Sequence, residues 1–577
     1  MCGIVGIYNF KGGANIPDLK KMTDAIQHRG PDGEGHWINR SKCVGFGHRR
    51  LSIIDLSVNG KQPMEYADGR YTITFNGEIY NYIEIKEQLI KKGYQFKSDS
   101  DTEVLLALYD LKKEKALNEL DGMFSFSIWD EKEQLFFCAR DRFGEKPFYY
   151  SYDSEKFVFA SEMKAIWASG IEKKVEDAMF NNYLNFNLVS DSDASKTFYK
   201  SIKQLEASHY LTVNANGIKK VKYYSLESIK IDSSISFDDA ANKFRELLTE
   251  SIRLRLRSDV AVGSSLSGGL DSSSIVTLID KLKGASQVQK TFSARFKNFK
   301  KDEGYFIEQV IKYCKSVDGQ NVWPDAEQFL ADLEKLAYHQ EEPFASSSIY
   351  AQYKVMQLAS QNGVTVLLDG QGADEQLAGY IAYYKLYLNQ LFYHKRNSYS
   401  KEFEAYSKNH KEQHPAINLM EEETFRMRLG RLKRKGLGQQ MPVANDALKK
   451  SLLADMQNGG LKNLLRYADR NSMAHSREIR LPFLSHHLVE FVFSFPDNYI
   501  LNEGWTKFVM RKAMENNLPK EITWRVDKTG YEAPEQTWLS TPTAINKTKE
   551  LRKHYADVIQ KREISDWQVL MLGNYYH

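Results

Sequence analysis

The chain has 577 residues, with 79 Lys+Arg against 75 Asp+Glu for a net charge of +4, and is 42% hydrophobic and 27% charged. At ~150 residues per domain there is room for roughly two to four domains, and the balance excludes a disordered, collagen-like or repeat-biased chain. The near-neutral charge gives no electrostatic reason to expect a nucleic-acid or anionic-membrane partner. Mean hydropathy is −0.52, and no apolar run approaches the ~18 residues of a membrane helix. Cys2, Cys43, Cys138 and Cys314 lack CxxC spacing, which argues against a disulfide scaffold or a structural zinc site. The start of the chain carries no secretory pattern, so a cytoplasmic enzyme of small molecules is expected.

In chain order, residues 1–225 are rich in short β-branched or aromatic runs broken by Gly, Asn and Asp. Tyr71–Phe75, Met123–Trp129, Leu135–Ala139, Phe148–Tyr152 and Lys156–Ala160 read as antiparallel strands, and Ile83–Lys92 and Thr102–Leu111 have helical spacing. Strands with few helices predict a layered α+β domain. After a break near residues 226–236 the texture changes. Helix Phe237–Leu256 leads to strand Val260–Leu266, helix Ser272–Lys283, strand Thr291–Phe296 and helix Tyr305–Ser316. Helix Ser347–Gln361 and strand Val364–Leu368 follow, and from Leu377 onward the pattern is mostly helical. Strand–helix alternation predicts a parallel sheet with helices on its faces, an α/β domain over 236–577.

A cysteine at position 2 is most often inert and buried. If Met1 is removed, however, Cys2 carries a thiol and an α-amine on one residue. The amine has a pKa of ~7.7–8.0 and can take the thiol proton itself. Its companions are His28-Arg29-Gly30-Pro31-Asp32-Gly33, Gly47-His48-Arg49-Arg50-Leu51-Ser52-Ile53, Asn76-Gly77-Glu78-Ile79-Tyr80-Asn81 and Ser100-Asp101-Thr102-Glu103. With MCGIVGI these resemble the glutaminase domain of the class II glutamine amidotransferases, an N-terminal nucleophile fold layered α/β/β/α. The resemblance implies Cys2 as nucleophile, with the Asn76 amide and the Gly77 N–H as oxyanion donors. It also implies Arg50 (rather than Arg49) on the glutamine carboxylate, and Asp101 with Glu78 on its ammonium.

Between the predicted strand and helix of the second half lies Ser267-Gly268-Gly269-Leu270-Asp271-Ser272-Ser273. Two glycines let the backbone close on phosphate oxygens at a helix N-terminus, and no Walker Lys follows. SGGLDSS resembles the pyrophosphate loop of enzymes that cleave ATP to AMP and pyrophosphate. With the turn Asp369-Gly370-Gln371-Gly372-Ala373-Asp374-Glu375 and the segment Asp469–Leu484 (DRNSMAHSREIRLPFL), the whole chain resembles the glutamine-hydrolysing asparagine synthetases. That family makes β-aspartyl-AMP and delivers ammonia to it through an internal channel. The resemblance implies ATP contacts at Leu266, Ser267, Gly268, Gly269, Asp271, Ser272, Ser273, Ala294, Asp369 and Gly370. It implies Mg²⁺ on Asp271 and Asp374, and Lys507 on the departing pyrophosphate. A homodimer is common among relatives.

Two positions depart from the family pattern. Bacterial members have Glu where this chain has Gln371, and an amide is no general base; some lactam-forming relatives use a tyrosine-containing base, for which Tyr380 is the substitute here. This keeps other carboxylate acceptors open, such as a sugar uronate or a cell-wall precursor. Ser485 replaces an Asp and reads as a helix N-cap, with His486 and His487 beside it read as structural residues. The basic run Arg426–Lys435 reads as an amphipathic helix in preference to a nucleic-acid patch. Different classes of function are a tRNA-modifying pyrophosphate-loop protein and a non-catalytic glutamine sensor.

Overall fold

The computed structural model describes the chain except residues 188, 190, 192, 285–286, 411–428, 430–442, 458, 527–531, 561 and 577. The basic run Arg426–Lys435 therefore lies outside the described residues, Leu429 apart.

Alternating apolar side chains in the first half build two six-stranded antiparallel sheets. In the first, strand Gly3–Asn9 lies between Lys156–Ala160 and Val44–Arg50. In the second, Tyr71–Ile79 pairs over its full length with Gly122–Asp130, which pairs in turn with Leu135–Arg140. The sheets stack through Ile4, Tyr8 and Phe46 of one and Trp129, Phe136 and Leu211 of the other, all buried. Helix Ile16–Ala25 covers the outer face of the first sheet, and helices Tyr82–Ile90 and Asp101–Lys112 cover that of the second. This is the expected α/β/β/α sandwich.

Helix Phe237–Arg255, capped by the Ser236 side chain on Asp239 N–H, opens the second half. Five parallel strands follow in the order Val317–Val322, Gln289–Ala294, Val262–Ser265, Val366–Leu368, Glu478–Arg480. The two outer strands were not expected from the sequence, which reads as polar in VDGQNV and as helical after Leu377. Strand order reverses around Val262–Ser265, and ligands of open sheets gather beyond the carboxyl ends of strands at such a switch point. No helix among the described residues is long and apolar enough to cross a membrane.

The halves meet through buried charge. Arg29 holds Asp469 with two bonds of 2.8 and 2.9 Å and Glu162 at 2.8 Å; Arg470 reaches Glu341 at 2.6 Å and Glu162 at 3.2 Å.

Candidate functional site

Cys2 precedes the central strand of the first sheet, which brings it against the strand carrying Asn76 and Gly77. Its backbone N–H donates to Asn76 Oδ1 at 2.9 Å, and its Sγ lies 3.9 Å from the Leu51 carbonyl. Burial pushes the thiol up. With Met1 attached, the Cys2 nitrogen is an amide and cannot act as its base. The Asn76 side-chain nitrogen is buried without an acceptor, the state of a donor set out for an oxygen that forms later. At Gly77 a Cβ would stand 2.2 Å from the Met123 carbonyl, so only glycine fits.

Met1, Cys2, Arg50, Glu78, Asp101 and Glu478 wall a small pocket of about 40 Å³. The Arg50 guanidinium is fixed by the Ser57 carbonyl at 2.8 Å and by the Asp55 carbonyl. Arg49 is drawn off to Asp24 and Glu34, which leaves Arg50 as the arginine of the pocket. Asp101, at the start of its helix, accepts from Ile79 N–H at 2.9 Å, and burial pushes its carboxyl up to about 6. Glu78 is pushed well up by burial and then by Asp101.

One wall comes from the other half of the chain. Glu478 Oε2 binds the Met1 ammonium at 2.8 Å, Glu478 Oε1 binds Arg480 Nε at 2.6 Å, and Arg480 Nη2 stands 3.6 Å from Glu78. The ammonium and Arg480 hold the Glu478 carboxyl down at about 2 despite its burial. Sequence reasoning quoted this segment without giving Glu478 a role, because its partner is 477 positions away. Arg29 was missed in the same way: its Nε donates to the Cys2 carbonyl at 3.0 Å.

A second cleft, of about 420 Å³, opens at the carboxyl ends of the parallel strands. Leu266, Ser267, Gly269, Asp271, Ser272 and Ala294 line it from the loop side, and Asp369, Gly370, Gln371, Gly372, Asp374, Glu375 and Tyr380 from the neighbouring turn. Gly268, with φ +73°, makes the bend that only glycine takes easily. It does not itself face the cleft, nor does Ser273, whose hydroxyl is fully buried. Ser272 Oγ accepts from Ser267 N–H at 3.2 Å and closes the loop onto the helix. Lys507 lies beneath the cleft, its Nζ 2.6 Å from Asp271 and 2.5 Å from Asp374.

Gln371 Oε1 is buried without a donor. Nearby, Tyr380 O–H donates to Glu375 Oε1 at 2.5 Å, and burial, then Asp374, pushes the Glu375 carboxyl up.

Residues 1–224 match the glutamine amidotransferase domain family, and residues 243–566 match the asparagine synthase family. The chain belongs to the asparagine synthase family. Asparagine synthetase [glutamine-hydrolyzing] 1 of Bacillus subtilis (strain 168) is 33% identical, over 93% of this chain and 88% of that protein. Asparagine synthetase [glutamine-hydrolyzing] 3 of the same organism is 31% identical, over 94% and 90%. A putative asparagine synthetase [glutamine-hydrolyzing] 2 of Methanocaldococcus jannaschii is 36% identical over 66% of this chain and 76% of its own length.

Within this asparagine synthase chain, Ser485 stands at the N-cap position of helix His486–Phe493 but makes no side-chain capping bond. Ser485 N–H instead donates to the Pro482 carbonyl. Its neighbours His486 and His487 converge with Asp121, their ligand atoms within 4.8 Å of one another. Arg255 lies 3.9 Å from that Asp121 oxygen. Burial, then Arg142, His487 and Arg255, push the His486 ring down to about 2. A cation would be repelled there, which favours the structural role.

Proposed function

We propose that the chain makes asparagine from aspartate, with glutamine as nitrogen donor and ATP as activator, releasing glutamate, AMP and pyrophosphate. The observation that carries this reading is that one strand touches the walls of both clefts. Glu478 walls the glutaminase pocket, and two residues along the same strand the Arg480 carbonyl accepts from Asp369 N–H of the synthetase cleft at 3.0 Å.

Removal of Met1 frees the Cys2 amine to accept the thiol proton and clears the pocket for glutamine. The thiolate attacks the carboxamide carbon, and Asn76 Nδ2 and Gly77 N–H receive the oxyanion. Arg50 holds the substrate carboxylate, and Asp101 and Glu78 its ammonium. Loss of ammonia leaves a thioester, which water hydrolyses to glutamate. A thiol nucleophile needs a reducing compartment, as the cytoplasm is, and the four cysteines are free.

In the second cleft the loop Ser267–Ser272 receives the pyrophosphate part of ATP, with the adenosine against Leu266 and Ala294. The aspartate β-carboxylate attacks the α-phosphorus, and Lys507 follows the charge onto the departing pyrophosphate. Asp271 and Asp374 fit a magnesium ion, since their oxygens already converge on one cation, the Lys507 ammonium. Bound there, the ion would offset the charge of the ATP phosphates. Gln371 orients by hydrogen bonding, its free acceptor suiting the aspartate ammonium. Glu375, held by Tyr380, accepts the proton that the attacking ammonia must lose.

The test is amide transfer: amide-labelled glutamine, ATP and aspartate should give labelled asparagine with one AMP each. Glutamine hydrolysis without asparagine would overturn the acceptor.

A further inference from the structure

Helix Gly460–Met473 spaces Lys462, Arg466 and Arg470 at four-residue intervals, which puts all three on one face. That face looks at the first domain. Together with Arg140, from the end of strand Leu135–Arg140, the three cations wall a void of about 20 Å³ at the domain junction. The void belongs to neither catalytic cleft.

The charges around it do not balance. Arg470 is paired with Glu341 and Glu162, and Arg466 with Glu342. Asp469, another wall residue, is taken by Arg29, and Lys196 at the rim by Asp191. Among the described residues, Arg140 donates only to the carbonyls of Gly144, Lys146 and Leu205, and Lys462 only to that of Ala194 at 3.0 Å. Neither makes an ion pair among the described residues. The remaining carboxyl of the wall, Glu145, makes no ion pair among the described residues, and burial, then Asp141, pushes it up to about 8. Lys462 is pushed down to about 8 by burial and by Arg140 and Arg466, against the opposing pull of Glu342 and Glu206. Finally, the Nε–H groups of Arg466 and Arg470 are both buried with no acceptor. Two cations without an ion pair and two idle donors therefore belong to side chains that line one small space, and buried charge without a direct counter-charge is unfavourable.

We propose that this void binds one small inorganic anion of halide size, held by Arg140, Lys462, Arg466 and Arg470 between the two domains. The size follows from the volume. One water needs about 10–15 Å³ on the same measure, so 20 Å³ holds a single ion and excludes a nucleotide or a sugar phosphate. The ion supplies the missing negative charge to Arg140 and Lys462 and an acceptor to the idle Nε–H groups. Because Arg140 belongs to the first domain and the other three to the second, the bound ion fastens one domain to the other. Binding to the folded state alone raises stability with ligand concentration.

The experiment uses the full chain with bromide as probe. Crystals soaked in bromide should show an anomalous peak in the void, bounded by these four side chains. Thermal unfolding should shift upward by a few degrees, saturably, when bromide replaces the bulky anion isethionate at constant ionic strength, and Lys462→Met should flatten that response. A void empty of bromide, or a thermal shift identical in Lys462→Met, would overturn the proposal. So would an equal, saturable shift with sulfate, which is too large for the site. Should Lys462→Met fail to fold, the anomalous peak in the native protein decides alone.

Discussion

The two clefts of this molecule are built on opposite plans. The glutaminase pocket is about 40 Å³, walled by charged and polar side chains and closed by the chain's own first residue. The synthetase cleft is about 420 Å³, open at the carboxyl ends of the strands, with Phe292, Phe296, Ile349 and Val355 in its walls. The difference follows from what each must hold. A single amino acid that is charged at both ends needs fixed counter-charges and little room, whereas a nucleotide with an acid beside it needs an apolar shelf and a flexible set of phosphate donors. Each plan also puts its risk in a different place: the small pocket depends on a few close contacts, the large one on Lys507 and the two carboxylates around it.

Breaking the small pocket should have the largest effect. Cys2→Ala should abolish glutamine-dependent synthesis while ammonia-dependent synthesis, assayed with ammonium chloride, stays within about twofold; loss of both would show that the clefts are not separable. Lys507→Met should do the reverse. Adenylation, followed by pyrophosphate release, should fall by about 10³-fold or more, a loss of roughly 4 kcal/mol of barrier stabilisation. Glutamine hydrolysis should persist. Asn76→Ala sharpens the comparison inside one cleft: removing an oxyanion donor should lower glutaminase kcat about 10²–10³-fold with little change in KM for glutamine. An effect confined to KM would make Asn76 a binding residue.

The smallest effect is a pH dependence. Asp101 titrates at about 6 because it is buried. It is ionised above that pH and can then receive the glutamine ammonium. As pH falls below about 6 it protonates, so KM for glutamine should rise up to tenfold per pH unit. Ammonia-dependent synthesis should show no such rise. An unchanged KM between pH 5 and 7 would remove Asp101 from substrate binding.

What could be read from sequence was what the chain states locally. The phosphate loop is a strand, a glycine bend at Gly268 and a helix within 22 consecutive residues, Val262–Lys283, so its residues announce it. The same holds for Lys156–Ala160, which forms over the range its β-branched and aromatic residues indicate. Helix Ala326–Gln340 was legible in principle, with Phe329, Leu333, Leu336 and Ala337 on one face. The outer strands were not. Val317–Val322 is polar because an edge strand is only half covered. Glu478–Arg480 has three residues, two of them charged and all buried, because its charges are neutralised by Met1 and by each other. Likewise Arg49 and Arg50 are adjacent and equivalent as letters. Only the fold sends the first to Asp24 and the second into the pocket.

The buried Met1 also sets an order of events. Its side chain is 1% exposed and its ammonium is sealed beneath Glu478. An aminopeptidase needs a free, extended chain end, and the finished molecule offers none. The residue that closes the pocket, Glu478, is among the last fifth of the chain to be made. On the proposed mechanism Met1 has to leave before Glu478 closes over it. A chain that keeps Met1 has an amide at the Cys2 nitrogen, which cannot take the thiol proton. On that mechanism the second domain sets a deadline for the maturation of the first.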